Sequence, residues 1–249
     1  MARTTRTTKA GLPDLGTALG SAVDLAFPAM AQHHRRVAHI AASIARALGL
    51  SPGLRHELVM AALLHDVGTL VDWSRPGRDV DAVPGVDAQA RAGYLLLRKY
   101  RPLAVVAQMV RYHRLPWVHG AGRRWRGEYV PFRSHLLHLA DWVDAFVDRR
   151  RPLREQMGAI LTEAHSRAGE RFAPEAVAAL SVLAVDETFW LGLEPPALEF
   201  MVAESVNELL LESEPGGLRD AAELLAWIVG FRRCGYRPLV QQAQLSMPS

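Results

Sequence analysis

The chain has 249 residues, 49% of them hydrophobic and 22% charged, which is enough to bury a full core and is ordinary for a globular protein. A disordered chain, a collagen and a coiled-coil rod are excluded. The formal charge of +3 comes almost wholly from arginine, since the only lysines are Lys9 and Lys99; spread over this length it marks no nucleic-acid surface, and no nucleic-acid partner is expected.

No apolar run reaches the roughly 20 residues that a bilayer-spanning helix requires, so no membrane contact is expected. The basic start MARTTRTTKA leads into no apolar stretch with a cleavage site, and a cytoplasmic setting is the expectation. Cys234 is the single cysteine and cannot form an internal disulfide, so any metal must be held by histidines and carboxylates.

Residues 1–16 read as a flexible tail. Helical periodicity follows, predicting helices over 17–29, 32–48, 52–66, 87–100, 102–113, 133–149, 153–168, 174–184, 196–212 and 217–232. No segment alternates strictly with β-branched enrichment, so the class is all-α, a helical bundle with extra C-terminal helices. Gly49 at a C′ position, then Ser51 as N-cap and Pro52 at N1, make the second and third helices a hairpin. Residues 74–84 and 115–131, rich in Gly, Pro and Arg, read as loops, and 212–217 (ESEPGG) as a linker. The division expected is one helical domain over 17–190 and a C-terminal helical extension over 191–249.

Two histidines turn inward. Val37, Ile40, Ile44 and Leu48 share one helical face, and His33 falls about 25° from its centre, whereas His34 lies about 75° away and His39 on the far side, where it is expected to be solvated. Leu54, Leu58, Ala61, Ala62 and His65 repeat the pattern. Asp66 follows, and Val67-Gly68 breaks the helix, which lets an imidazole and a carboxylate converge at one terminus. A buried carboxylate requires a cation, either an arginine or a metal. Downstream, His113 ends an amphipathic segment, and Asp141 and Asp144 lie in another; Asp144 is nearer the apolar stripe, and His113 is at a stripe's edge, so periodicity does not choose a ligand. Trp117, Arg123, Arg124, Trp125, Arg126, Tyr129 and the run Arg149–Arg151 read as surface. His56, His119, His135, His138 and His165 read as structural or exposed, and Phe189, Trp190 and Leu191 as core.

The segments His33-x-x-Arg36-Val37-Ala38 with Leu48-Gly49-Leu50, then Ala61-Ala62-Leu63-Leu64-His65-Asp66-Val67-Gly68, then Leu139-Ala140-Asp141-x-x-Asp144-Ala145 resemble the successive signatures of HD-domain phosphohydrolases, with the HD-GYP subgroup most similar. The resemblance covers about residues 17–190. It implies an all-helical bacterial protein that binds iron or manganese and hydrolyses the second messenger cyclic di-GMP. Carried over position by position, it implies one divalent metal held by His33, His65, Asp66 and Asp141, with Asp141 preferred to Asp144 by motif position. The subgroup's second metal site is lost, because Gln89 and Arg114 stand where histidines are expected, Thr69 stands for the lysine after HDVG, and the loop after His113 has no GYP signature.

A degenerate HD-GYP-like phosphohydrolase acting on a phosphate ester, cyclic di-GMP or another nucleotide, is therefore the leading expectation. Asp66, His113 and Asp144 are its catalytic candidates, and Arg36 and Arg114 its substrate-binding candidates, with Arg114 as a phosphate clamp in the second metal's place. The alternative is an inactive signalling or nucleotide-sensing module that meets a protein partner, or a second copy, through its C-terminal helices.

Overall fold

The structure, a computed structural model, describes residues 32–70 and 88–194 together with Leu198. The expected tail 1–16, the helices 17–29, 196–212 and 217–232, the loop 74–84, the linker 212–217 and nearly all of the extension 191–249 lie outside the described residues. The chain is all-α. The helices are α1 (His33–Ala47), α2 (Pro52–Leu64), α3 (Ala88–Leu97), α4 (Ala104–Tyr112), α5 (Phe132–Phe146), α6 (Met157–Ser166), α7 (Pro174–Leu183) and a short α8 (Glu187–Leu191). Among the described residues no helix is long and apolar enough to cross a membrane.

The α1–α2 hairpin is made as its punctuation requires. Gly49 takes φ +70° and donates to Arg46 O, while Leu50 N–H reaches back to Ala45 O, the paired bonds of a Schellman motif. Pro52 opens α2, but the Ser51 hydroxyl makes no cap bond; the helix starts on the Ser51 carbonyl, which accepts from Arg55 N–H.

Helix α1 is the hub. It lies against α2, α5 and α7, and its Val37, Ile40, Ala41, Ile44 and Ala45 are fully buried. Helix α3 lies on α4 and across the 3-10 turn Val67–Leu70. That crossing is backbone on backbone: a Cβ on Gly68 would sit 2.0 Å from Gln89 O and 2.7 Å from Gly93 N, so only glycine allows it.

Several surface expectations are corrected. Residues 115–131 are not a plain loop. Val118–Arg123 is a 3-10-rich turn, and Arg124–Trp125 (β1) pairs antiparallel with Glu128–Tyr129 (β2) across Arg126-Gly127, both at positive φ as a two-residue hairpin turn demands. Trp117 is buried there, because its backbone and those of Val118 and His119 donate to Arg171, Glu170 and Gly169 carbonyls between α6 and α7. His39 is buried too, its Nε2–H donating to Phe189 O at 3.0 Å and its ring stacked on Phe189. The far side of α1 faces α8, not solvent. Phe189 and Trp190 are core, whereas Leu191 is exposed.

Candidate metal centre

Three elements deliver the central side chains. His33 opens α1; His65 caps α2 and Asp66 follows it into the 3-10 turn; Asp141 lies on α5. The turn is held by Thr69, whose N–H and hydroxyl both donate to Asp66 O, at 2.8 and 2.7 Å. The break foreseen at Val67-Gly68 thus swings the carboxylate back toward its neighbouring imidazole.

The four groups converge. His33 Nε2 and His65 Nε2 are 3.1 Å apart. Asp66 Oδ2 lies 3.3 Å from His65 Nε2 and 3.8 Å from His33 Nε2, and Asp141 Oδ1 lies 3.4 Å from His33 Nε2 and 3.6 Å from His65 Nε2. Ligands at right angles on an ion about 2.1 Å away are separated by roughly 3 Å, which is the scale seen here.

The hydrogen bonds behind the rings decide what lies in front. His65 Nδ1 donates to Ala62 O at 2.7 Å, and His33 Nδ1 donates to Asp144 Oδ2 at 2.6 Å. With both Nδ1 atoms so engaged, each ring turns its Nε2 inward, toward the other and toward two carboxylate oxygens, where it can offer a lone pair to an ion. Four acceptors meeting in a buried space call for a positive charge at their centre. The titration of His65 says the same: burial by itself lowers its pKa, but Asp66 and Asp141 push it up to about 10. For Asp66, burial acts upward and is outweighed by His65 and Arg114, which hold the carboxyl well below its ordinary range. The residues present fit a divalent ion with mixed nitrogen and oxygen ligands.

Around this set lie the other expected residues. His113 joins His65 and Asp141 in a second grouping of ligand-type atoms within 4.8 Å of one another, with its Nδ1 donating to Val110 O. Arg114 NH2 is 3.4 Å from Asp66 Oδ1. Asp144 and Arg36 lie elsewhere than expected. Asp144 is behind His33, not beside the gap: its carboxylate accepts hydrogen bonds from His33 Nδ1, from Arg36 Nε at 2.7 Å and from the Arg149 guanidinium. Burial would raise its pKa, but His33, Arg36 and Arg149 hold it far below the carboxylate range, which makes it a poor base. Arg36 braces Asp144, and Arg149, at the surface as expected, reaches in to brace it as well. His34 was missed by the sequence reading: it is fully buried, its ring 5.0 Å from His33 and 5.1 Å from His65, its Nε2 4.0 Å from Asp66 Oδ2. The wheel placed it about 75° from the centre of the apolar face, and it is buried nonetheless because its ring lies against His65 of α2 and beside Asp66.

Residues 30–146 match the family described as HD domain, and this stretch supplies every side chain of the cluster. It is 34% identical over 149 residues to the 3'3'-cGAMP-specific phosphodiesterase 3 of Vibrio cholerae serotype O1, an alignment covering 57% of this chain and 32% of the relative. The chain therefore spans about a third of that relative's length. The crystal structure of a cyclic GMP-AMP specific phosphodiesterase from V. cholerae superposes with a TM-score of 0.66 at 20% identity, covering 90% of this chain and 61% of that one, a likeness of fold.

Proposed function

We propose that this chain is a metal-dependent phosphodiesterase of the HD class, HD-GYP-like within it, acting on a cyclic dinucleotide. The observation that carries the reading is the convergence of two inward Nε2 lone pairs and two carboxylates at 3.1–3.8 Å. The matched HD domain and the relative named for 3'3'-cGAMP support it, and they make the hybrid guanine–adenine dinucleotide the first substrate to try, ahead of cyclic di-GMP.

His33, His65, Asp66 and Asp141 hold one iron or manganese ion, which when bound supplies Lewis acidity toward a phosphoryl oxygen. The protein's own part is positioning and proton handling. Asp144 fixes the tautomer and the aim of His33, as a carboxylate behind a ligating imidazole does, with Arg36 and Arg149 fixing Asp144 in turn. Asp66, kept ionised by His65 and Arg114, would orient an attacking water as a hydrogen-bond acceptor and not as its base, and His113, grouped with His65 and Asp141, would be the imidazole that gives a proton to the leaving alcohol.

A second reading, a module that binds a nucleotide without turning it over and acts through protein partners, is favoured by one observation: Arg114 sets a fixed cation against Asp66, lowering the negative charge available to metals. Metal analysis of the wild type beside His65→Ala, with turnover of 3'3'-cGAMP, cyclic di-GMP and bis(p-nitrophenyl) phosphate under manganese, separates the two. About one ion per chain and hydrolysis abolished by the substitution is the expected result. Metal without turnover supports the module, and no metal at all sinks the metal-dependent reading.

A further inference from the structure

Asp66 divides its two oxygens between two cations' positions. Oδ2 faces the imidazoles, 3.3 Å from His65 and 3.8 Å from His33, while Oδ1 faces Arg114 NH2 at 3.4 Å. A carboxylate whose second oxygen is turned toward another ion serves as a bridge in two-ion sites. Here that second oxygen is turned toward a guanidinium, a charge that protein conditions cannot remove.

Exposure is graded across the same groups. His33, His65 and Asp66 are sealed, at 2% or less, whereas the Asp141 side chain is 13% exposed and that of Arg114 is 18% exposed. Solvent, and with it any ligand, reaches the cluster along the side that carries Asp141 and Arg114. A phosphate arriving there meets the ion's open positions and the guanidinium together. A planar fork of N–H donors suits two phosphate oxygens, which an ammonium does not reproduce.

The geometry points to a one-ion centre in which the Arg114 guanidinium takes the place of a second metal and binds the substrate's phosphate alongside the first. This inference rests on the metal-centre reading above and adds to it the stoichiometry and a phosphate-binding residue.

Two measurements on the full chain test it without relying on turnover: ions bound per chain at saturating manganese, by mass spectrometry, and the affinity of the manganese-loaded protein for inorganic phosphate, by calorimetry. The wild type is expected to hold one ion. Arg114→Gln is expected to keep that ion and to bind phosphate roughly tenfold or more weakly, the scale of a lost charge-assisted hydrogen bond. Arg98→Ala, at an exposed arginine near Tyr94, is expected to leave both values unchanged.

Should Arg114→Gln lose its ion, Arg114→Lys carries the test, since it keeps the positive charge but not the fork; weaker phosphate binding is again expected. Two ions in the wild type, or phosphate affinity unchanged in a variant that keeps its ion, overturns this inference and leaves the metal-centre reading standing. No ion in the wild type overturns both.

Discussion

At the scale of single residues, the site is an exercise in committing protons. The Nδ1 protons of His33 and His65 are donated to Asp144 and to Ala62 O, so their Nε2 atoms are left to share one positive charge with Asp66 and Asp141. Without an ion that charge is a proton on His65, whose pKa near 10 keeps it an imidazolium at neutral pH. An ion must displace it. Manganese binding is accordingly expected to release about one proton per ion, and affinity to rise by up to about tenfold per pH unit from pH 6 to 9. Calorimetry in buffers of differing ionisation enthalpy checks the first, and titrations across pH the second; proton-neutral binding would contradict the assignment. The resemblance named His33, His65, Asp66 and Asp141 as a group, and those four side chains do come together. Asp144 was harder. The helical wheel rightly put it inside, but burial alone does not tell a group that faces the gap from one that holds a ligand from behind, and that difference depends on which side of His33 α5 passes. His39 was misjudged because its cover, α8, comes 150 residues later and leaves no trace in the periodicity of α1.

Among the elements, the contact that sets the site's shape is the crossing of α3 over the turn that carries Asp66. Gly68 has no room for a methyl group, because the obstruction is backbone, at Gln89 O and Gly93 N, and backbone within a helix does not yield cheaply. Gly68→Ala is expected to cost about 3 kcal/mol or more and to lower the melting temperature by roughly 6–12 °C. Differential scanning calorimetry checks it, and a loss below about 1 kcal/mol would mean the crossing is looser than described. The helices themselves were readable from hydrophobic spacing and from Gly49 and Pro52, with ends off by a few residues. The β1–β2 hairpin was not, since two-residue strands are too short for alternation to register, and Trp117 reads as surface until the segment around Gly169–Arg171 is seen to receive its backbone bonds.

For the whole molecule, the matched HD domain ends at residue 146, yet the core does not. Phe172, ahead of α7, is fully buried against Trp142 and His138 of α5, and Val177 and Leu180 of α7 are buried with it beneath α1. The ring of His39 presses on the chain at Gly192, where a Cβ would come within 2.6 Å of it. The smallest piece that can stand alone therefore extends past α8. A version stopped after Phe146 strips the cover from two faces of α1, the helix whose first turn aims His33. Such a version is expected to lose its cooperative melting transition and, with it, tight manganese binding, whereas the full chain should keep both; equal behaviour of the two in calorimetry would refute the claim. A protein engineer looking for a minimal unit should thus be guided by the packing, which runs on past the point where the signature ends.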